Sequence, residues 1–130
     1  MLVEPRFPDG RLVGGKYHMA THTVYLYKEP LQQQCFQLFG STDRLADYIE
    51  LVLAHELGHA QDTELSRLSD LLDEELPERE RRMIQLEIEE NAWRYAEALL
   101  PEMDPWFKSA IIDESLAAYR REQDVEPVSA

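Results

Sequence analysis

Positive charge is what this 130-residue sequence is short of: 13 Lys and Arg stand against 26 Asp and Glu, a formal net charge of −13. Grip on a phosphate backbone runs through basic patches, so nucleic acid is not an expected partner. An acidic surface attracts basic partners instead. Cysteine is scarcer still. Cys35 is alone, which excludes an internal disulfide, and it lacks any catalytic context, so it reads as core. The first residues, MLVEPRFPDGRL, show no basic segment followed by an apolar stretch. No secretory signal is therefore expected, and the cytoplasm is the expected compartment. Long apolar runs are missing too. The longest lies around Leu51–Ala54, well short of the roughly 20 residues a bilayer-spanning helix needs. What is present is a hydrophobic fraction of 44% and a charged fraction of 30%. That balance is globular rather than disordered, and the length suits a single domain over residues 1–130 with one core.

Along the chain, Pro5, Pro8, Gly10, Gly14 and Gly15 mark residues 1–15 as an irregular arm. Residues 16–28 follow, rich in Tyr, Thr and Val. Val24 and Leu26 alternate with Thr23, Tyr25 and Tyr27 as in a strand. CFQLF at 35–39 reads as a further short strand or the start of a turn. Gly40-Ser41-Thr42-Asp43 reads as a helix start, with Ser41 or Thr42 as the cap. Leu45, Tyr48, Ile49, Val52 and Leu53 then recur at spacings of three and four, predicting a helix to about Gln61. A weaker helical stretch covers 63–75. Pro77 suits the first turn of a long helix, 78–100, which Pro101 stops. Pro105 opens a last helix, 105–121, and the tail DVEPVSA is expected to fray. The expected fold class is α+β: a mainly helical, zincin-like domain with a small N-terminal antiparallel sheet.

The chemistry sits in His55-Glu56-Leu57-Gly58-His59. Residues four apart stack on one face of a helix, so His55 and His59 can reach one zinc ion at about 2.0–2.1 Å. Glu56 points near the metal without binding it, where a glutamate in this motif acts as general base toward water. Gly58 costs a helix about 1 kcal/mol relative to alanine, which fits a need for space for another chain segment. The apolar stretch YIELVLA just upstream argues that the motif is partly buried. Two histidines and a glutamate buried without a metal would be costly.

A catalytic zinc site takes three protein ligands and keeps one position open. Asp62 lies on roughly the same face, but seven residues rise about 10.5 Å along a helix, too far for one metal shell. The extended pattern with a third histidine is absent, because Asp62 and Leu65 stand at its glycine and histidine positions. The helix at 78–100 has an apolar stripe through Leu86, Ala92, Trp93, Ala96, Leu99 and Leu100, and Glu89 falls on it. A carboxylate on a buried face needs a partner. Glu90, at the edge of the stripe, is the runner-up, and Glu87 points further away. Ala92 and Ala96 are small enough to let this helix approach the one bearing the motif.

HELGH together with Glu89-Glu90-Asn91-Ala92-Trp93-Arg94-Tyr95-Ala96-Glu97-Ala98-Leu99-Leu100-Pro101 resembles the ImmA/IrrE family of metallopeptidases over roughly residues 14–101. The resemblance implies a minimal gluzincin with His55, His59 and Glu89 as zinc ligands and Glu56 as base. It sets Tyr17 and Thr23-Val24-Tyr25-Leu26 at the edge strand. Members of that family cleave repressor-type regulators, so the implied partner is a protein or peptide substrate, and the net charge favours a basic one. Trp93 stands where the family often has an acidic or amide side chain. The rival reading keeps the zinc but little turnover, as a regulatory or interaction module.

Tyr17, His18 and His22 lie near the predicted edge strand. They could polarise a scissile carbonyl, though each reads first as an ordinary strand residue. Trp93 and Trp106 read as core anchors. Glu78 is spaced to pair with Arg81 or Arg82 at the start of the long helix.

Overall fold

Val24 and Leu26 point inward from β3 (Thr23–Tyr27), as period-two alternation requires. The computed structural model describes residues 1–8 and 13–124, with side chains as far as Arg121. Gly10, and the tail after Asp124, lie outside the described residues. The antiparallel pair expected near the N-terminus is β2 (Gly15–His18) against β3, with Gly15 opposite Leu26 and His18 opposite Thr23. A tight turn at Met19–Thr21 separates these two strands, and His22 closes it in the left-handed region at φ 51°. The arm is not irregular throughout. Leu2–Glu4 forms β1, which pairs in parallel with the other side of β3. The sheet is therefore mixed, in the order β1-β3-β2. At one end of β3, Gly14 accepts a hydrogen bond from the Tyr27 amide and Pro5 one from the Glu29 amide. As a consequence β3, which the family resemblance set at the edge, is central, and β2 is an edge.

Among the described residues five α-helices follow: α1 (Lys28–Phe39), α2 (Leu45–Gln61), α3 (Leu65–Leu72), α4 (Glu78–Leu99) and α5 (Pro105–Asp124). With the N-terminal sheet they make an α+β fold, and no helix among the described residues is long and apolar enough to cross a membrane. CFQLF is helical, not a strand. Its apolar residues belong to a longer register, Leu31, Cys35 and Leu38, that turns one face of α1 to the core. Gly40 ends α1 at φ 71°, and its amide donates to Phe36. The start of α2 also differs from expectation. The Ser41 hydroxyl accepts from the Asp43 amide within the turn, and the helix begins only at Leu45, after Arg44. That guanidinium bridges Asp47 and Asp104 and lies over the Phe107 ring.

The core joins β3, α1, α2, α4 and α5. Trp93 belongs to it, but Trp106 is 84% exposed. Phe107 fills the core there instead, stacked on Phe39, because the buried face of α5 runs through Phe107, Ile111, Ile112 and Leu116. Arg81 does not pair with Glu78. It donates to the carbonyls of Leu72 and Glu74, tying the start of α4 to the end of α3.

α2 and α4 approach closely at Gly58. A Cβ built on Gly58 would meet the carbonyl oxygen of Ala92 at 2.5 Å and its Cα at 2.9 Å. Backbone, unlike a flexible side chain, cannot fold away. Gly58→Ala should gain about 1 kcal/mol of helix propensity but lose more than that to overpacking, toward the upper end of roughly 1–3 kcal/mol because the clash is with backbone. The expected net outcome is a lower urea midpoint at unchanged slope, and an unchanged or higher midpoint would contradict the contact.

Candidate metal centre

His55 and His59 project from the last turns of α2, one above the other, and both are buried. Glu89 faces them from α4, whose approach the Gly58–Ala92 contact permits. Its Oε2 lies 2.9 Å from His55 Nε2 and its Oε1 lies 3.6 Å from His59 Nε2. Among the described residues these three form a group whose ligand atoms all lie within 4.8 Å of one another. Tetrahedral zinc with bonds of about 2.05 Å separates its donors by about 3.3 Å, so small side-chain adjustments would suffice. Two imidazoles and a carboxylate suit zinc and other borderline divalent ions. His59 Nδ1 is buried and has no hydrogen-bond partner, so this ring is held by packing and by whatever its Nε2 meets.

The His55 ring lies between two carboxylates. Its Nδ1 lies 3.1 Å from Glu56 Oε1 and its Nε2 lies 2.9 Å from Glu89 Oε2. Ionised carboxylates only accept, so with both of them ionised the two contacts call for a donor at each ring nitrogen, which is the imidazolium form. Burial alone would lower its pKa, but the hydrogen bonds to Glu56 and Glu89 outweigh that and push it up to about 9. Burial likewise works to raise the pKa of Glu89, and the contacts with His55 and His59 overcome it, bringing the carboxyl down to about 2. A positive charge is thus already favoured where a cation would sit.

Glu56 is buried beneath the start of β2. A Cβ on Gly15 would fall 3.0 Å from its Cγ and 3.3 Å from its Oε1, so a side chain at position 15 would press on the carboxylate. The donors open into a cleft of about 560 Å³. Lys16 and Tyr17 of β2 form one wall, Ile88 and Glu89 of α4 another, and Ser115 and Tyr119 of α5 its end. A second cavity, about 450 Å³, continues on the far side of His55 and Glu56 between α1 and α5, walled by Leu38, Val52, Trp93 and Ile111.

The remaining candidates fall elsewhere. Glu90 turns to Arg120 at 3.8 Å, and Glu87 is exposed. Asp62 ends α2 by accepting from the Glu64 amide and, at 3.4 Å, from Asn91. Tyr17 lines the cleft with its hydroxyl 2.6 Å from His22 Nδ1. His18 is taken up by Thr21. Cys35 is fully buried. Trp93 is more than core: its ring stacks on His55 with centroids 4.1 Å apart. Its place one turn after Glu89 was the available signal. Ser115, which accepts from the Trp93 indole at 3.1 Å, had none, being on another helix. Comparison of the chain with family models, curated proteins and solved structures gave no match.

The pH dependence of the metal-free protein follows from the two shifted groups. His55, raised from 6.5 to about 9, stabilises fully below about pH 6.5, and that stability is lost as pH rises toward 9. Glu89, lowered from 4.5 to about 2, stabilises above about pH 4.5 and loses this as pH falls toward 2. Melting temperatures of chelator-treated protein should therefore fall from about pH 6.5 toward 9, and Glu89→Gln should flatten that decline. An equally steep decline in the variant would rule the pairing out.

Proposed function

We propose that the chain is a zinc-dependent peptidase. The observation that carries this reading is the convergence of His55, His59 and Glu89, with Glu56 buried directly beside them at the floor of a cleft. The resemblance of HELGH and the Glu89 helix to ImmA/IrrE metallopeptidases supports it. His55, His59 and Glu89 would hold the ion. When bound, zinc supplies Lewis acidity that polarises a carbonyl and makes water more acidic.

The chain's own residues supply the rest. As the edge strand, β2 offers an extended peptide a line of backbone partners, and Lys16 and Tyr17 on the cleft wall would set that peptide over the donors. Glu56 Oε1 holds the Nδ1 proton of His55, which keeps Nε2 directed at the site. Glu56 Oε2 takes the proton of the attacking water as the new C–O bond forms, and delivers it to the amine as the C–N bond breaks. With a net charge of −13, the favoured substrate is a basic protein segment, and a regulatory protein is the class the resemblance suggests.

A second reading has its own observation. Glu56 is already engaged by His55 at 3.1 Å, which suits a module that keeps zinc in place with little turnover.

Two measurements separate these readings. Protein purified without chelator should carry about one zinc per chain, and Glu89→Ala should lose most of it; full retention would remove Glu89 from the ligand set. The zinc-loaded chain should then be incubated with an unfolded casein and a basic peptide library, with new termini read by mass spectrometry. Glu56→Gln should keep its zinc but lose roughly 10²–10⁴-fold in cleavage rate, the range for a lost general base. Equal processing by wild type and variant would leave the module reading standing.

A further inference from the structure

His55 is held on more sides than ligation requires. Glu56 takes its Nδ1. The His59 ring meets it edge-on, with centroids 4.7 Å apart and planes at 71°. Trp93 covers a face, at 4.1 Å and 22°. These contacts leave Nε2 directed at Glu89. Trp93 is itself fixed. Its indole N–H is a donor only, and it donates to Ser115 Oγ of α5 at 3.1 Å, while the ring is 4% exposed.

We infer that Trp93, anchored by Ser115, is a positioning residue of the metal centre, setting the ring plane of His55 so that its Nε2 points at the metal. This role rests on His55, His59 and Glu89 being the ligands. The two histidines leave α2 on a common face, but a helix does not dictate the tilt of an imidazole. Glu56 restrains the ring at one atom, Nδ1, and modest turns about the Cα–Cβ and Cβ–Cγ bonds would tilt the plane while only bending that hydrogen bond. The indole face blocks this tilt. The same face is the negative side of the aromatic quadrupole, so it is attracted to His55 whenever that ring carries positive charge, by protonation or by binding a divalent cation. Ser115 also lines both the cleft and the neighbouring cavity. The C-terminal helix is thereby coupled to the centre through one hydrogen bond and one stack.

A Trp93 that merely filled the core would be replaceable by any apolar residue without effect on metal affinity once the protein is folded. The test measures zinc affinity by competition with a chromophoric chelator, and the absorption spectrum of the cobalt(II)-substituted protein, which reports ligand geometry. Trp93→Leu should weaken zinc binding by about 10–100-fold, the range for lost partners of metal-ligating histidines, and shift the cobalt bands. Trp93→Phe, which keeps an aromatic face, should recover most of the affinity. Ser115→Ala should cost about tenfold, and Ser115→Thr, which retains the acceptor oxygen, should not. Wild-type affinity and an unchanged cobalt spectrum in Trp93→Leu and Ser115→Ala would overturn the inference. Should Trp93→Leu fail to fold, Ser115→Ala decides alone. If the wild type takes no zinc, the ligand reading has failed, and the positioning is read in the metal-free protein by NMR. There the ring protons of His55 should show an upfield ring-current shift from Trp93 that collapses in Ser115→Ala; an unchanged shift would overturn it.

Discussion

The centre depends on one close approach, the backbone of Ala92 against Gly58. Two histidines on α2 make half a site; the other half is on α4 and is useful only if the helices nearly touch. Gly58 removes the Cβ that would meet the Ala92 carbonyl at 2.5 Å, and the fully buried Ala92 and Ala96 keep the facing surface low. Glu89 then falls within hydrogen-bond distance of His55. The glycine costs helix stability, about 1 kcal/mol relative to alanine, and the interface it permits is the most extensive contact between helices in the fold.

Electrostatics makes that geometry tolerable. Two carboxylates buried against each other's neighbourhood would repel and lose solvation. A protonated His55 between Glu56 and Glu89 supplies the counter-charge. A positive charge held among His55, Glu56 and Glu89 is therefore what this arrangement favours. The raised pKa of His55 and the lowered one of Glu89 are two views of that single arrangement. The sheet contributes by bringing glycine backbone over Glu56, so the carboxylate is walled in while the cleft above the donors stays open.

α5 is the element whose part was least apparent. Its buried face closes the core through Phe107, Ile111, Ile112 and Leu116, and Ser115, between those positions, reaches Trp93. Packing and site geometry are thus carried by the same helix. The exposed Trp106 at its start shows that aromatic size does not by itself identify an anchor; helical phase does.

Local pattern determined a good deal. The spacing of His55 and His59 places them together on any helix, whatever surrounds it, and the apolar stripe of α4 singled out Glu89 over Glu90 because burial follows the 3.6-residue period. The ends of α4 were legible from Pro77 and Pro101, since proline acts on its own neighbours. Where several residues compete non-locally, the pattern was silent or misleading. CFQLF is rich in strand formers yet is helical, because Leu31, upstream of it, belongs to the same buried face. β1 pairs in parallel at a distance of more than twenty residues, and β3 became central only because β1 joined it. The Glu56–His55 hydrogen bond, the Trp93 stack and its tie to Ser115 join side chains whose meeting depends on how helices cross. Spacing along one helix sets which residues share a face; only the packing of α2, α4 and α5 against one another sets what that face meets.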